Sequence, residues 1–166
     1  PYKTMEELPV FQYGCDSSYS WAAKFKHLQR KGNAADIADN MIDLIKTDTN
    51  PEGLLHHPRT AQDIHFCFTG GEPLMKHAQE AVMEIINYLR FACNVPRYIT
   101  FETNGTQDLT PAFRKFFENK GMYAGELFFS VSPKLWNVSG EEPAKAIRPE
   151  TVAQYHTLSE IGRAHV

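Results

Sequence analysis

The stretch Phe68-Thr69-Gly70-Gly71-Glu72-Pro73 separates two segments with different hydrophobic periods. Before it, Ile64 to Thr69 alternates large apolar side chains with smaller or polar ones, which predicts a β-strand. After it, the apolar side chains recur at the spacing of one helical face, at Val82, Ile85, Ile86 and Leu89. Because two glycines end the strand and Pro73 suits the entrance of a helix, the stretch predicts a strand, a tight turn and a helix over residues 77–92.

Two further segments close predicted strands in the same way. Glu102-Thr103-Asn104-Gly105-Thr106 follows a strand that begins at Tyr98, and Ser130-Val131-Ser132-Pro133-Lys134 ends a strand over residues 126–132. Between them, Thr110 is a predicted helix cap and Pro111 lies in the first turn. The order strand, helix, strand, helix, strand predicts parallel crossovers and an α/β fold. In such folds ligands bind at the carboxyl edge of the sheet, where all three segments are expected.

The remaining segments carry weaker signals. Asn33 is expected to cap a helix whose inward face carries Ile37, Met41, Leu44 and Ile45. Gly121 suits a left-handed exit from the helix that begins near Thr110. Residues 1–20 and 49–60 are predicted loops and residues 150–158 a predicted helix. The core is expected to contain Phe113, Phe116, Phe117, Phe128 and Phe129.

Length and composition indicate one globular domain. The chain has 166 residues, of which 42% are hydrophobic, and a formal net charge of −3. That charge offers no basic surface for nucleic acid or an anionic membrane, and no apolar run or signal-peptide pattern predicts membrane insertion. The odd set Cys15, Cys67 and Cys93 has no disulfide spacing, so a cytoplasmic location is expected.

Both ends of the sequence suggest a partial open reading frame. The chain begins with Pro1, and residues 160–166 read like translated adapter sequence. We therefore expect residues 1–159 to form a single partial domain, incomplete at both ends, and residues 160–166 to be a non-native tail.

Taken singly, each strand-end residue has an ordinary structural interpretation. Gly70-Gly71 is a strand-to-helix turn, Glu102 a solvated carboxylate beside a turn, and Lys134 a surface cation. Cys67 and Cys93 are expected to pack, His56 and His57 to lie in a solvated loop, and His65 to be a strand histidine with its hydrogen bonds satisfied. The case for a site rests on the three segments meeting at one edge.

Together the three segments resemble the radical S-adenosylmethionine (SAM) superfamily. Glu-Thr-Asn-Gly-Thr followed by Ser-Pro-Lys-Leu is most similar to its 7-carboxy-7-deazaguanine synthase branch. The resemblance covers most of residues 15–142 and is weakest over residues 22–60. It implies a partial (β/α) TIM-like barrel with parallel strands and outer helices.

The resemblance also implies which residues bind the cofactor. Gly70, Gly71 and Glu72 would receive the amino group of SAM through their backbone. The implied contacts with SAM or the substrate come from Glu102, Thr103 and Asn104. Ser132 would hold the SAM ribose, and Lys134 would face a carboxylate of SAM or of the substrate.

Cys15-Asp16-Ser17 is similar to the end of the family's cluster motif, in which Cys15 would ligate a 4Fe-4S cluster and Ser17 would bind Mg²⁺. The sequence departs from the pattern here. Leu8 and Gln12 occupy the positions of the other two thiolates, and Gly14 replaces an aromatic residue. Either the first two cysteines precede Pro1, or this copy cannot bind a cluster.

The implied enzyme is a radical SAM lyase. It would convert 6-carboxy-5,6,7,8-tetrahydropterin to 7-carboxy-7-deazaguanine, on the route to 7-deazaguanine and queuosine, through a 5′-deoxyadenosyl radical. Its expected partners are the pterin and a reductant such as a flavodoxin, with a homodimer as a possible assembly and no direct nucleic-acid contact. The chain alone is expected to be inactive. The alternatives are another radical SAM enzyme, such as a glycyl-radical-enzyme activase, and a non-catalytic SAM-binding module that has lost its cluster.

Overall fold

The computed structural model describes residues 23–28, 31–57, 59–134 and 142–163. After a short 3₁₀ helix at Ala23–Leu28, the elements follow in the order α1 (Ala34–Leu44), β1 (Phe66–Phe68), α2 (Lys76–Phe91), β2 (Tyr98–Thr103), α3 (Pro111–Glu118), β3 (Glu126–Val131), α4 (Pro143–Ala146), α5 (Pro149–His156) and β4 (Glu160–Arg163). None of the described helices is long and apolar enough to span a bilayer.

The four strands form one sheet in the order β1-β2-β3-β4, and every neighbouring pair is parallel. Phe68 lies beside Phe101, and Phe101 lies beside Phe129. The predicted α/β class and the parallel crossovers are confirmed. The closure of these strands into a barrel stays a prediction.

The sheet extends into the predicted tail. Glu160–Arg163 pairs with β3 as a parallel strand, whereas residues 164–166 lie outside the described part of the chain. The pairing shows where residues 160–163 lie. It does not test whether these residues are native, so their non-native origin stays a prediction.

One face of the sheet forms the core together with α2, α3 and α5. Every second residue of β1, β2 and β3 points to this side, and apart from Thr103 these side chains are apolar. An aromatic stack crosses the sheet there: the ring centroids of Phe68 and Phe101 are 5.4 Å apart, those of Phe101 and Phe129 5.4 Å, and those of Phe129 and Tyr155 4.8 Å. Stacked pairs of this kind contribute about 0.5–1.5 kcal/mol each beyond area burial. The stack fixes α5 against β3.

The opposite face of the sheet, which we call the open face, is exposed or half-buried. It carries Cys67, Tyr98, Thr100, Glu102, Phe128 and Ser130. Phe128 was expected in the core but instead packs on this face, near the rings of His65 and Tyr98. The alternation between core and open face explains why the strand sequences are not uniformly apolar.

Two helix starts follow the predicted chemistry, but one helix face does not. The Oδ1 of Asn33 accepts from the Asp36 amide at 2.8 Å, and the Oγ1 of Thr110 accepts from the Phe113 amide at 3.2 Å. In α1 the buried face passes through Ala38 and is flanked by Ala34, Met41, Ile42 and Ile45, whereas Ile37 and Leu44 are exposed. The buried face of α1 is therefore centred on Ala38 and not on Ile37 and Leu44.

The exit from α3 also differs from the prediction. Among the described glycines, positive φ occurs at Gly53, Gly70, Gly71 and Gly105 and not at Gly121. The chain leaves α3 through an extended Asn119, whose Oδ1 accepts from the Gly121 amide at 2.9 Å. A side-chain hydrogen bond therefore replaces the expected left-handed glycine.

Candidate functional site

The three strand-end segments lie along one edge of the sheet. Because β1, β2 and β3 are parallel and in register, the residues that follow them emerge side by side. The Ser132 amide donates to the Thr103 carbonyl at 2.8 Å, so the ladder between β2 and β3 continues into the Ser132-Pro133-Lys134 segment. The structure therefore brings the segments to the common edge that the sequence predicted.

The Glu72 carboxylate joins the first segment to the second. Its Oε1 accepts from the Thr103 hydroxyl at 2.7 Å and from the Leu74 amide at 3.0 Å. Its Oε2 accepts from the Asn104 amide at 2.9 Å. Since a half-buried carboxylate with three donors is held firmly, this side chain fixes the turn after β1 against the end of β2.

The backbone of Gly70 and Gly71 is accessible. Their φ values are +85° and +57°, which residues with a side chain rarely adopt. Both residues are exposed, and no hydrogen bond from a described residue reaches their N–H or C=O groups. The turn therefore presents polar backbone atoms that a ligand can bind.

Glu102 lies on the open face with two neighbours from the β1 segment. The Thr69 hydroxyl donates to Glu102 Oε2 at 2.9 Å. Burial raises the pKa of the Cys67 thiol, and the adjacent Glu102 charge and hydrogen bond raise it further. Cys67 and Cys93 were expected to be packing residues, but both residues are exposed.

The turn after β2 is held by its own side chains. Gly105, at φ +78°, donates its amide to the Thr103 hydroxyl at 3.1 Å. The Asn104 Oδ1 accepts from the amide of Thr106 at 3.0 Å and from its hydroxyl at 2.6 Å. The side-chain oxygen of Asn104 is thus engaged within the turn.

Helix α5 secures the rest of this loop. The Tyr155 hydroxyl donates to the Gln107 carbonyl at 2.6 Å, and the Gln154 Oε1 accepts from the Leu109 amide at 3.1 Å. The hydrogen bond from Thr151, followed by that from Gln154, holds the pKa of Asp108 below its usual value. Burial raises the pKa of Tyr155, so its hydroxyl stays protonated.

One residue of this arrangement was missed by sequence reasoning. Gln79 is fully buried in α2 and bonds to the loops after both β1 and β2. The sequence did contain a signal for this role. Gln79 lies three residues before Val82 and therefore on the apolar face of the helix, where a buried polar side chain needs hydrogen-bond partners within the protein.

The other predicted site residues are either exposed or outside the described residues. Ser132 and Lys134 are exposed at the end of β3. Cys15 and Ser17 lie outside the described residues, so their predicted roles stay predictions. In the described part of the chain, no group of three His, Cys, Asp or Glu residues is placed to hold a metal.

The three histidines singled out in the sequence, His56, His57 and His65, have hydrogen-bond partners. His56 Nδ1 lies 2.8 Å from Asp63 Oδ1, and His57 Nε2 lies 2.9 Å from the Thr49 carbonyl. His65 Nε2 lies 2.8 Å from the Thr100 hydroxyl, as expected for a histidine with a satisfied hydrogen bond.

A cleft of about 430 Å³ lies at the other edge of the sheet, beside the residues that precede β2 and β3. Its lining includes Arg90, Arg97 and Lys120, and none of the three strand-end segments contributes to it. Arg90 and Arg97 are already engaged by Asn87 and Asp63, respectively. The cleft is therefore separate from the candidate site.

Comparisons with known proteins assign no family to this chain. The chain matches no family model, and searches of curated proteins and of solved structures give no match.

Proposed function

We propose that the chain is part of a radical SAM lyase that makes 7-carboxy-7-deazaguanine from 6-carboxy-5,6,7,8-tetrahydropterin. The observation that carries this proposal is the meeting of the three strand-end segments at one edge, with Glu72 hydrogen-bonded to Thr103 and Asn104. The resemblance of these segments to the synthase family supplies the chemistry, and their adjacency supports it.

The chain's own residues would bind and orient SAM. The exposed carbonyls of Gly70 and Gly71 are suited to accept from an ammonium group, because the turn leaves them without described partners. Ser132 would hold the ribose, and Lys134 would neutralise a carboxylate. Glu102 and Asn104 would contact SAM or the pterin.

The open face supports the partial-barrel proposal. In a TIM-like barrel the helices cover the outer face and the inner face is directed at the lumen. Helices α2, α3 and α5 pack on one face, and polar groups such as Thr100, Glu102 and Ser130 alternate onto the other. A planar substrate bound there would lie beside the strand-end edge.

The fit of a 4Fe-4S cluster depends on residues beyond those described. The chain supplies Cys15 at the motif position, with Leu8 and Gln12 in place of two thiolates, and the described cysteines lie elsewhere, in β1 and after α2. The cluster therefore does not fit the residues present in this chain alone. When bound, cluster and SAM would supply the radical chemistry, with Mg²⁺ near Ser17 and electrons from a reductant such as a flavodoxin.

The decisive experiment uses the protein encoded by the complete reading frame, reconstituted anaerobically with iron and sulfide. It is incubated with SAM, Mg²⁺, reductant and the carboxypterin, and the product is identified by mass spectrometry. We expect 7-carboxy-7-deazaguanine, which should be lost in Cys15→Ala and kept in the control Cys93→Ala.

Other results would point to the alternatives. SAM cleavage without this product would keep the superfamily and discard the substrate, as for an activase that acts on a protein. Failure to bind a cluster, with SAM affinity retained, would favour a non-catalytic SAM-binding module; the substitution of two cluster positions by Leu8 and Gln12 is the observation that favours this second candidate.

A further inference from the structure

The buried side chain of Gln79 connects the starts of two helices. Its Nε2 donates to the Leu74 carbonyl at 2.6 Å, just before α2, and to the Asp108 carbonyl at 2.9 Å. Its Oε1 accepts from the Thr110 amide at 2.8 Å, at the cap of α3. Each helix start follows one of the strand-end loops, so one amide spans the two loops.

The three hydrogen bonds match what a glutamine amide can offer. Both Nε2 hydrogens are used, and Oε1 is used at least once. No other common side chain of this length has two donors and an acceptor in this planar arrangement. Because Gln79 is 0% exposed, water cannot replace a lost partner.

All three hydrogen bonds of the Gln79 side chain are formed with backbone atoms of the two loops and none with a side chain of the core. Glu72 joins the same two loops nearer the solvent, through Thr103 and Asn104. Gly105 lies between the residues held by Glu72 and those held by Gln79, whereas Gly70 and Gly71 lie between the end of β1 and Glu72; all three have positive φ. Without fixed ends, such glycine turns have many accessible conformations.

We infer that Gln79 is the positioning residue that fixes the Gly70–Glu72 turn relative to the Asn104 turn. This inference deepens the proposed function and rests on it for the identity of the ligand, SAM. Gln79 does not touch the ligand; it acts through the Leu74 and Thr110 backbone.

The test compares two kinds of variant in the same helix. Gln79→Glu keeps the shape and loses both donors, and Gln79→Met keeps similar volume and loses all three hydrogen bonds. Ile86→Val and Ile86→Ala are the controls, since Ile86 is fully buried in α2 and their stability losses should bracket those of the Gln79 variants.

Amide hydrogen exchange is the direct measurement. We expect exchange to accelerate at least tenfold at Asn104 and Gly105, which Gln79 does not touch, and also at Thr110. The Ile86 variants should show no local change beyond their global destabilisation.

In Gln79→Glu, protection should partly return at pH 5 relative to pH 8, because the protonated acid regains one donor and burial raises the pKa of a carboxyl; Gln79→Met should show no such return. Unchanged exchange, or an increase that only follows global stability, would overturn the inference.

Titration with SAM, using the protein from the complete reading frame, tests the link to function. The Kd should rise at least tenfold in Gln79→Glu and stay within twofold in the Ile86 controls. Equal affinities in wild type and Gln79→Glu would overturn the functional part of the inference. If the wild type binds no SAM, the proposed function fails, and hydrogen exchange alone decides whether Gln79 positions the turns.

Discussion

At the scale of single residues, the candidate site depends on a carboxylate that faces inward. Glu72 was expected to take part in SAM binding through its backbone, and its side chain is bonded to Thr103, Asn104 and Leu74. A carboxylate with these partners serves to hold the turn, which leaves the preceding glycines to present their backbone.

Gly105→Ala should destabilise the protein more than Gly70→Ala. Both glycines have positive φ, but a Cβ at Gly105 would lie 2.7 Å from Val131 Cγ1 and 3.3 Å from Val152 Cγ2. At Gly70 a Cβ would meet nothing within 4 Å. We expect a loss of about 1 kcal/mol for Gly70→Ala and about 2–3 kcal/mol for Gly105→Ala in urea unfolding. Equal losses would show that Val131 and Val152 move aside.

The raised pKa of Cys67 predicts slow alkylation of its thiol. Since the thiolate is the nucleophile, Cys67 should react with iodoacetamide more slowly than Cys93 at pH 8. Glu102→Gln removes a neighbouring negative charge and should accelerate the Cys67 reaction roughly threefold or more. Peptide-resolved mass spectrometry measures both rates, with Cys93 as the internal control. A Cys67 rate unaffected by the substitution would contradict the role of Glu102.

Residue-level patterns predicted the strand ends well and the contents of the core less well. Asn33 and Thr110 were identified because capping depends on local sequence. The bridging role of Gln79 and the exposure of Cys67 were not identified, because both depend on which segments pack nearby. The roles of Glu102 and Lys134 toward a ligand stay predictions.

At the scale of elements, α5 acts as a brace for the loop after β2. It contributes Thr151, Gln154 and Tyr155 to that loop, although it lies more than 40 residues further along the chain. The sequence predicted a helix at 150–158 from local pattern. Its partner could not be predicted, because no periodicity encodes which loop a helix will contact.

The brace gives stability a dependence on acid pH. The pKa of Asp108 is depressed in the folded protein below its ordinary value of 3.8, first by the Thr151 hydrogen bond. A depressed carboxyl pKa stabilises the fold above the ordinary pKa, and this contribution is lost as the pH falls through the folded value. Between pH 6 and pH 3, the unfolding free energy of Thr151→Val and of Asp108→Asn should therefore fall less than that of wild type. If the unfolding free energy of all three proteins fell equally between pH 6 and pH 3, this account would be contradicted.

At the scale of the whole molecule, the parallel order of β1, β2 and β3 followed from the alternation of strands and helices. The fourth strand was not expected, because residues 160–166 were assigned to a tail on the wording of the sequence. Residues 160–163 pair with β3 because the other edge of β3 is open for another strand. A single sequence does not reveal which strand edge will be open.

A chain that ends at Ser159 tests this edge. Its β3 would lose the parallel ladder with Glu160–Arg163, so we expect a loss of roughly 2–4 kcal/mol in urea unfolding. The unpaired edge should also increase self-association in sedimentation velocity. As the control, a chain that ends at Arg163 removes only the last three residues. Identical stability of the two shortened chains would show that β4 adds nothing to the fold.

The open face also affects how the protein responds to temperature. Heat capacity rises on unfolding mainly because apolar groups become hydrated, typically by roughly 12–15 cal/mol/K per residue. Here the rings of Tyr98 and Phe128 are already partly in contact with solvent in the folded state. Unfolding therefore hydrates less new apolar surface than in a sheet covered on both faces. The heat-capacity increment of unfolding per residue should therefore fall below that range. A smaller increment gives a flatter curve of unfolding free energy against temperature, so cooling should destabilise the protein less.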